Sequence, residues 1–125
     1  MFFGTGSSEA VIENRIRAKN LTDRIFLKGF RADITQMMDA FEFFVYPSIL
    51  NETFGLGALE AWKFKKTIVA SRIGGIPEVV TNRVDGILVE PTNIEELAQA
   101  TEELIQNEKL RTSLGEKGYQ TLIEK

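Results

Sequence analysis

The chain has 125 residues, of which 43% are hydrophobic and 26% are charged, a composition typical of one soluble globular domain or a large part of one. Its formal net charge of -3 argues against a general affinity for nucleic acid or anionic lipid, because both require a basic surface. It has no cysteine and no histidine, which excludes disulfides, zinc sites built on these residues and histidine-activated nucleophiles. No apolar run approaches the roughly 20 residues of a membrane-spanning helix, and we expect a cytoplasmic protein.

The first half of the chain alternates short apolar runs with amphipathic segments. The predicted elements, in chain order, are a strand at 2–3, a helix with Val11, Ile12 and Ile16 inward, a strand at 24–27, a short helix carrying Ile34, Met37 and Met38, and a buried strand at 43–46. Residues 4–8, of sequence GTGSS, resemble a phosphate-binding loop. Such a short glycine pattern is more often a turn with a serine that caps the next helix, and we favour the turn.

The second half continues this alternation. The predicted elements are a helix opened by NETFGLGALE at 51–60, a strand at 67–71, a turn at 74–77 into a short helix, a strand at 86–89, a helix from about Asn93 with Leu97, Ala100, Thr101, Leu104 and Ile105 inward, and a last helix from about Asn107. Strands that are apolar throughout and separated by helices indicate a parallel sheet covered on both faces. We therefore predict one doubly wound, Rossmann-like α/β domain over residues 1–125.

The segment 51–60 lies where such sheets bind ligands, beyond the carboxyl end of a strand and at the start of a helix. Gly55 and Gly57 leave the backbone of the first helical turn open, and the free N–H groups and helix dipole there favour an anion such as phosphate. Glu52 and Glu60 would repel a phosphate, so we expect them to accept hydrogen bonds from hydroxyl groups. A nucleoside diphosphate sugar, with phosphates between a ribose and a hexose, fits this pattern.

Five segments in order resemble the C-terminal, donor-binding domain of retaining glycosyltransferases of the GT-B fold, of the group 1 type (glycosyltransferase family 4). They are YPS at 46–48, ETFGL at 52–56 with EA at 60–61, VAS at 69–71, GGIPE at 74–78 and DGILV at 85–89. The two glutamates of the second segment match the family's pair of glutamates separated by seven residues. The resemblance covers nearly the whole chain and implies the C-terminal half of a GT-B fold.

The resemblance implies a role for each matched residue. Glu52 would lie against the donor sugar at the position usually called catalytic, Glu60 would hold the ribose diol, and Phe30 would border the nucleobase. Backbone amides would be presented to the sugar and diphosphate by Thr53, Phe54, Gly55 and Leu56. The resemblance implies a UDP- or GDP-hexose as substrate, no metal and no other cofactor, an acceptor sugar or lipid-linked sugar held by another domain, and no nucleic-acid partner.

Relative to the family's donor domain, the chain begins at the second strand. The first strand, the basic loop after it and the acceptor-binding domain would then be missing. Because the first strand is central in a doubly wound sheet, its absence predicts a sheet edge that self-associates or pairs with a chain that supplies the strand. We therefore expect a fragment of a longer gene product or one half of a split enzyme, inactive in transfer by itself, with any membrane contact made by the missing domain.

A second departure from the family follows Glu60. Where the family has small residues, a glycine and a proline, this chain has WKFKKT at 62–67. Without the glycine, either another residue adopts the left-handed conformation that ends the helix, or the helix ends differently. We interpret the three lysines as a solvated helix end, the alternative being contact with phosphate. We interpret Trp62 as a partly buried helix residue, the alternative being stacking on a sugar.

Three alternative functions share parts of this pattern. A non-catalytic nucleotide-sugar binding module has the same features without the basic loop and the acceptor domain. An epimerase of the same fold needs its own acid and base, and the lack of histidine makes it less attractive. A glycoside hydrolase that uses Glu52 and Glu60 is disfavoured, because one lies in a loop and the other on a helix near the phosphate site. The separation of the two carboxylates would test it.

Overall fold

The structure is a computed structural model that describes residues 6, 8–29, 32–50 and 55–124. The chain forms two compact units, Met1–Gln36 and Met37–Lys125. In chain order the described elements are α1 (Glu9–Ala18), α2 (Ile34–Met37), a 3₁₀ helix (Met38–Ala40), β1 (Phe44–Tyr46), α3 (Leu56–Lys63), β2 (Ile68–Ser71), α4 (Ile76–Val79), β3 (Ile87–Val89), α5 (Ile94–Gln106) and α6 (Glu108–Glu124). The predicted strand at 2–3 and most of the segment 4–8 lie outside the described residues.

Helix α1 ends in a Schellman arrangement. The backbone N–H of Asn20 donates to the carbonyl of Arg17 at 3.1 Å, and the N–H of Leu21 donates to the carbonyl of Ile16 at 3.0 Å. Asn20 has a φ of +55°, a conformation that asparagine adopts more readily than most residues. At the other end, Ser8 lies at the cap position, but its side chain makes no capping hydrogen bond.

The inner side of α1 is narrower than predicted. Ile16 is buried, Ile12 is 38% exposed and Val11 is 59% exposed. Consecutive helical residues are offset by about 100° around the axis, so Val11 lies off the side that Ile12 and Ile16 share. The inward prediction is confirmed for Ile16 and was wrong for Val11 and Ile12, which are both exposed.

The predicted strand at 24–27 is not a strand in the described chain. The backbone N–H groups of Arg24 and Ile25 both donate to the carbonyl of Leu21, at 3.0 and 2.9 Å, which folds this part of the chain into a turn. Those amides are consequently not available to a neighbouring strand. Within this segment, Leu27 alone holds an isolated bridge position.

The second unit is built on a parallel sheet with the strand order β1-β2-β3. Val45 of β1 lies opposite Val69 of β2, and Ala70 of β2 lies opposite Leu88 of β3. Parallel neighbours require a crossover, and α3 and α4 provide the two crossovers. The predicted doubly wound α/β arrangement is confirmed.

Both faces of the sheet are covered, and β2 is therefore buried along its whole length. Ile68 and Ala70 pack on one face with Trp62 of α3 and Ile76 of α4. On the other face Val69 packs in a second cluster with residues of β3, α5 and α6, which include Ile87, Val89, Ala100, Leu104 and Leu114. Each fully buried large aliphatic side chain contributes about 2 kcal/mol, so β2 is the centre of this unit's stability.

Two apolar residues of this unit are less buried than predicted. Val45 of β1 is 41% exposed, so β1 is only half-buried in the part of the chain that the structure describes. Ile105 of α5 is 62% exposed, although Ala100 and Leu104 of the same helix are buried. Ile105 lies about 100° around the helix from Leu104, outside the side that packs on the sheet.

Side chains occupy the outer edge of β3. The amide oxygen of Asn82 accepts from the backbone N–H of Leu88 at 2.9 Å, and the carboxylate of Glu96 accepts from the N–H of Glu90 at 3.1 Å. The N–H groups of Leu88 and Glu90 face outward, and a strand added at this edge would need them as hydrogen-bond donors. The β3 edge is thus satisfied from within the unit.

Candidate functional site

The carboxyl ends of the three strands meet at one edge of the sheet. Tyr46, Ser71 and Val89 are the last residues of β1, β2 and β3. The loops that follow lead into α3, α4 and α5, so three helix N-termini lie near the same edge. Ligands of parallel α/β sheets bind in this position.

The two glycines of the predicted site differ in backbone conformation and in surroundings. Gly55 is the cap residue of α3 with a φ of +62°, a conformation in which a side chain is strained. A Cβ added at Gly57 would lie 3.6 Å from the ring of Tyr46, in ordinary van der Waals contact. A Cβ added at Gly55 would lie as close to Val79, at 3.5 Å, so both positions face neighbouring elements, and the open backbone of the first helical turn stays a prediction.

Helix α3 presents two of the predicted site residues to solvent. Leu56 is 59% exposed, and Glu60 is exposed as well. Residues four positions apart lie on the same side of a helix, so Leu56 and Glu60 share one side of α3. Among the described residues, Glu60 forms no hydrogen bond and no ion pair, which leaves its carboxylate available to a ligand hydroxyl.

The other predicted site residues lie outside the described residues. These are Phe30, Glu52, Thr53 and Phe54. Their roles stay predictions, and so does the separation between the carboxylates of Glu52 and Glu60 that bears on the glycoside-hydrolase alternative.

Trp62 anchors α3 from the side away from solvent. It is 0% exposed, and its indole N–H donates to the backbone carbonyl of Asp85 at 3.0 Å. A fully buried indole cannot stack on a sugar, so that alternative is excluded. The prediction that Trp62 is only partly buried also understated its burial.

A lysine ends helix α3 where the family pattern has a glycine. The N–H of Lys65 donates to the carbonyl of Trp62 at 3.0 Å, and the N–H of Lys66 donates to the carbonyl of Ala61 at 3.1 Å, which is a Schellman end. Lys65 has a φ of +57°. Of the two predicted alternatives, the structure has the first, in which another residue adopts the left-handed conformation. The ammonium of Lys65 lies 3.5 Å from the carboxylate of Glu116 and 5.1 Å from the ring centre of Tyr119.

A cavity of about 190 Å³ opens at the same edge of the sheet, and the sequence did not predict it. Its walls include Pro47 and Ile49 from the loop after β1, and Ile94 and Leu97 from the start of α5. Ile49 and Ile94 are 65% and 79% exposed, a high value for isoleucine. These residues are far apart in sequence, so no local pattern could have predicted the cavity.

An ion pair lies near this edge. Arg72, which follows β2, donates from Nε to the carboxylate of Glu90 at 3.1 Å. Within the described residues, no group of three or more carboxylate side chains is arranged to hold a metal ion. No helix among them is long and apolar enough to cross a membrane.

The comparisons with known proteins agree with this geometry. The family model of the glycosyl transferases group 1 matches residues 1–121. The chain belongs to this family. An uncharacterised glycosyltransferase of Methanocaldococcus jannaschii is 37% identical over 92% of this chain and 33% of its own length. The poly(ribitol-phosphate) alpha-N-acetylglucosaminyltransferase of Staphylococcus aureus is 32% identical over 98% of this chain and 25% of its own length.

Solved structures of the family also match the fold. A crystal structure of HepE from Anabaena in complex with UDP has a TM-score of 0.87 at 27% identity, over 98% of this chain and 35% of that chain. The predicted GT-B glycosyltransferase fold is thereby confirmed. The chain spans only a quarter to a third of the length of the two curated relatives.

Proposed function

We propose that this chain binds the nucleoside diphosphate sugar in a group 1 glycosyltransferase. The observation that carries the proposal is the match of 98% of the chain, at a TM-score of 0.87, to a glycosyltransferase crystallised with UDP. The same protein was also crystallised with UDP-glucose, and that structure matches at a TM-score of 0.86. The free, exposed carboxylate of Glu60 beside the carboxyl edge of the sheet supports the proposal at the level of a residue.

The donor would lie over the N-terminus of α3. The first N–H groups of a helix lack partners within the helix, and Gly55, at the cap position, has no side chain to satisfy them. These groups and the helix dipole favour the diphosphate. Glu60, about one turn further along the helix, would accept hydrogen bonds from the ribose diol.

The reaction would be a transfer with retention at the anomeric carbon. Departure of the nucleoside diphosphate builds positive charge on the sugar and negative charge on the leaving group, so fixed dipoles around the diphosphate lower the barrier without a metal. Glu52 would stabilise the positive charge near the anomeric carbon. We assign the acceptor, a sugar or a lipid-linked sugar, to sequence beyond these 125 residues, because the chain matches only about a third or less of each relative. Binding of the donor without transfer is then the expected behaviour of this chain alone.

Calorimetric titration of the purified chain with UDP, GDP, ADP and their glucose conjugates tests the proposal. We expect one base to be preferred, and we expect Glu60→Gln to weaken that binding by about tenfold or more, since a hydrogen bond to a charged group is lost. The matched control is Glu102→Gln, which removes an exposed carboxylate from α5, and it should leave the affinity unchanged.

Two results would overturn the proposal. One is a folded chain that binds none of these nucleotides. The other is binding that Glu60→Gln and Glu102→Gln reduce equally, which would indicate a general effect of charge and not a site on α3.

A further inference from the structure

A buried carboxylate connects the site helix α3 to the C-terminal helix α6. Asp85 is 2% exposed and lies in the turn before β3. One carboxylate oxygen accepts from the backbone N–H of Thr81 at 2.7 Å, and the other accepts from the hydroxyl of Thr121 at 3.1 Å. Its backbone carbonyl accepts from the indole of Trp62 at 3.0 Å. One residue therefore holds three segments together.

These contacts are suited to a buried charge. An ionised carboxylate only accepts hydrogen bonds, and both of its oxygens have a donor here. The hydroxyl of Thr121 also lies 3.1 Å from the carbonyl of Lys117, so it shares one proton between a helical carbonyl and the carboxylate. Loss of the carboxylate would leave the part-buried Thr81 amide without its acceptor, and the Asp85 backbone carbonyl that accepts from the Trp62 indole would no longer be held in place by the side chain.

The contact between α3 and α6 allows little adjustment. A Cβ added at Gly118 of α6 would overlap the indole ring of Trp62, and one added at Gly115 would overlap the backbone carbonyl of Lys65. The indole is thus fixed on one side by α6 and at its N–H by Asp85. Close packing of this kind transmits a displacement of α6 or Asp85 to α3 instead of absorbing it.

Trp62 and Glu60 lie on opposite sides of α3. Residues two positions apart are separated by about 200° around a helix, which agrees with the full burial of Trp62 and the exposure of Glu60. Rotation of α3 at the buried indole would therefore move the Glu60 carboxylate across the site.

We propose that Asp85 is a positioning residue that holds α3 through Trp62 and so places Glu60 for the ligand. The inference rests on the proposed function for the role of Glu60, but the restraint on α3 is independent of any ligand. Asp85 itself does not touch the donor.

The first experiment measures hydrogen exchange of the α3 amides without ligand in Asp85→Ala and Thr121→Val. Asp85→Ala removes the acceptor of the bond between the two side chains, and Thr121→Val removes its donor. We expect α3 amides to exchange about tenfold faster in both variants, which corresponds to the loss of one hydrogen bond, while α5 amides exchange at an unchanged rate. The indole N–H resonance of Trp62, the only tryptophan in the chain, should shift in the same variants.

Two control variants separate positioning from general destabilisation. Thr121→Ser keeps the hydroxyl and should retain wild-type exchange. Thr101→Val removes a helical threonine hydroxyl that donates at 2.8 Å to the carbonyl of Leu97 and has no carboxylate partner among the described residues. It should leave α3 exchange unchanged. Equal acceleration in α3 and α5, or no acceleration in α3, would overturn the proposal.

The second experiment titrates the same folded variants with UDP-glucose. We expect Asp85→Ala and Thr121→Val to bind several-fold more weakly and Thr121→Ser to bind like wild type. Faster α3 exchange with unchanged affinity would overturn the link from Asp85 to Glu60. If the wild-type chain binds no nucleotide, the proposed function fails, and the exchange result alone decides whether Asp85 holds α3.

Discussion

Thr67 is a buried polar residue whose hydroxyl is not stabilised by a hydrogen bond in the part of the chain that the structure describes. It is 0% exposed, and its hydroxyl has no hydrogen-bond partner among the described residues. Its backbone is used, because the carbonyl accepts from the N–H of Phe44 at 3.1 Å. A buried hydroxyl that loses water and finds no partner destabilises the folded state by about 1–3 kcal/mol.

We expect Thr67→Val to raise the free energy of unfolding by about 1 kcal/mol, because a methyl group replaces the unpaired hydroxyl at nearly the same volume. Urea denaturation followed by the fluorescence of Trp62 measures this. Thr67→Ser is the control, since it keeps the hydroxyl and removes the methyl group, and it should be destabilising. A loss of stability in Thr67→Val would mean that the hydroxyl has a partner.

Helix α6 packs through its backbone where Gly115 and Gly118 face the unit. Both glycines are buried, and neither position has space for a Cβ. The close approach of α6 therefore requires that these two positions carry no side chain, although glycine lowers the intrinsic helix propensity. An element of this kind tolerates substitution on its outer side and not on its inner side.

We expect Gly118→Ala to lower the free energy of unfolding by about 2 kcal/mol, because the overlap with Trp62 outweighs the better helix propensity of alanine. Gln120→Ala, on the exposed side of the same helix, should change stability by less than about 0.5 kcal/mol. Thermal denaturation of both variants measures the difference. A Gly118→Ala variant as stable as Gln120→Ala would show that α6 moves away without cost.

The sequence predicted most elements of this unit, and its errors share one cause. Apolar runs located β2 and β3, which are buried along their whole length, and apolar periodicity located α5, which buries Ala100 and Leu104. It failed for Val45 and Ile105, which are apolar but exposed. The extent to which a neighbouring element covers a strand or helix is not encoded in the segment itself.

For the candidate site, the sequence indicated Gly55 and Glu60 from local pattern alone. It did not indicate the contacts of Asp85 with Trp62 and Thr121, which are 23 and 36 residues away. It also did not indicate which residue would end α3 in place of a glycine, because none of residues 62–67 is of a type that favours the left-handed conformation.

At the scale of the whole second unit, an ion pair adds a pH-dependent contribution. The guanidinium of Arg83 donates two hydrogen bonds to the carboxylate of Glu103, at 3.0 and 2.9 Å, and joins the turn before β3 to α5. The hydrogen bond from Arg83 holds the pKa of the Glu103 carboxyl below its ordinary value. The folded state therefore binds fewer protons at this group than the unfolded state does.

The contribution of Glu103 is complete above the carboxyl's ordinary pKa and is lost as pH falls through the lower pKa of the folded state. We expect Glu103→Gln to lower the free energy of unfolding by about 0.5 kcal/mol near neutral pH, a small value because the pair is largely exposed, and by nothing at strongly acidic pH. Urea titrations across this range measure it, with Glu102→Gln as the control. A difference between variants that is constant with pH would contradict the assignment to this ion pair.

The close approach of α6 to the end of α3 also constrains the order of events in folding. Gly115 lies against the carbonyl of Lys65, so α6 has no native surface to dock on until the chain has turned at Lys65. Formation of the turn belongs to the early, local steps, whereas docking of α6 closes a loop of about 50 residues and is entropically costly.

We expect Lys65→Gly, which relieves the left-handed strain, to speed refolding, and Gly118→Ala to act mainly by speeding unfolding. Stopped-flow fluorescence of the single tryptophan resolves the two rates, and the reverse pattern would mean that α6 docks first and imposes the turn on α3.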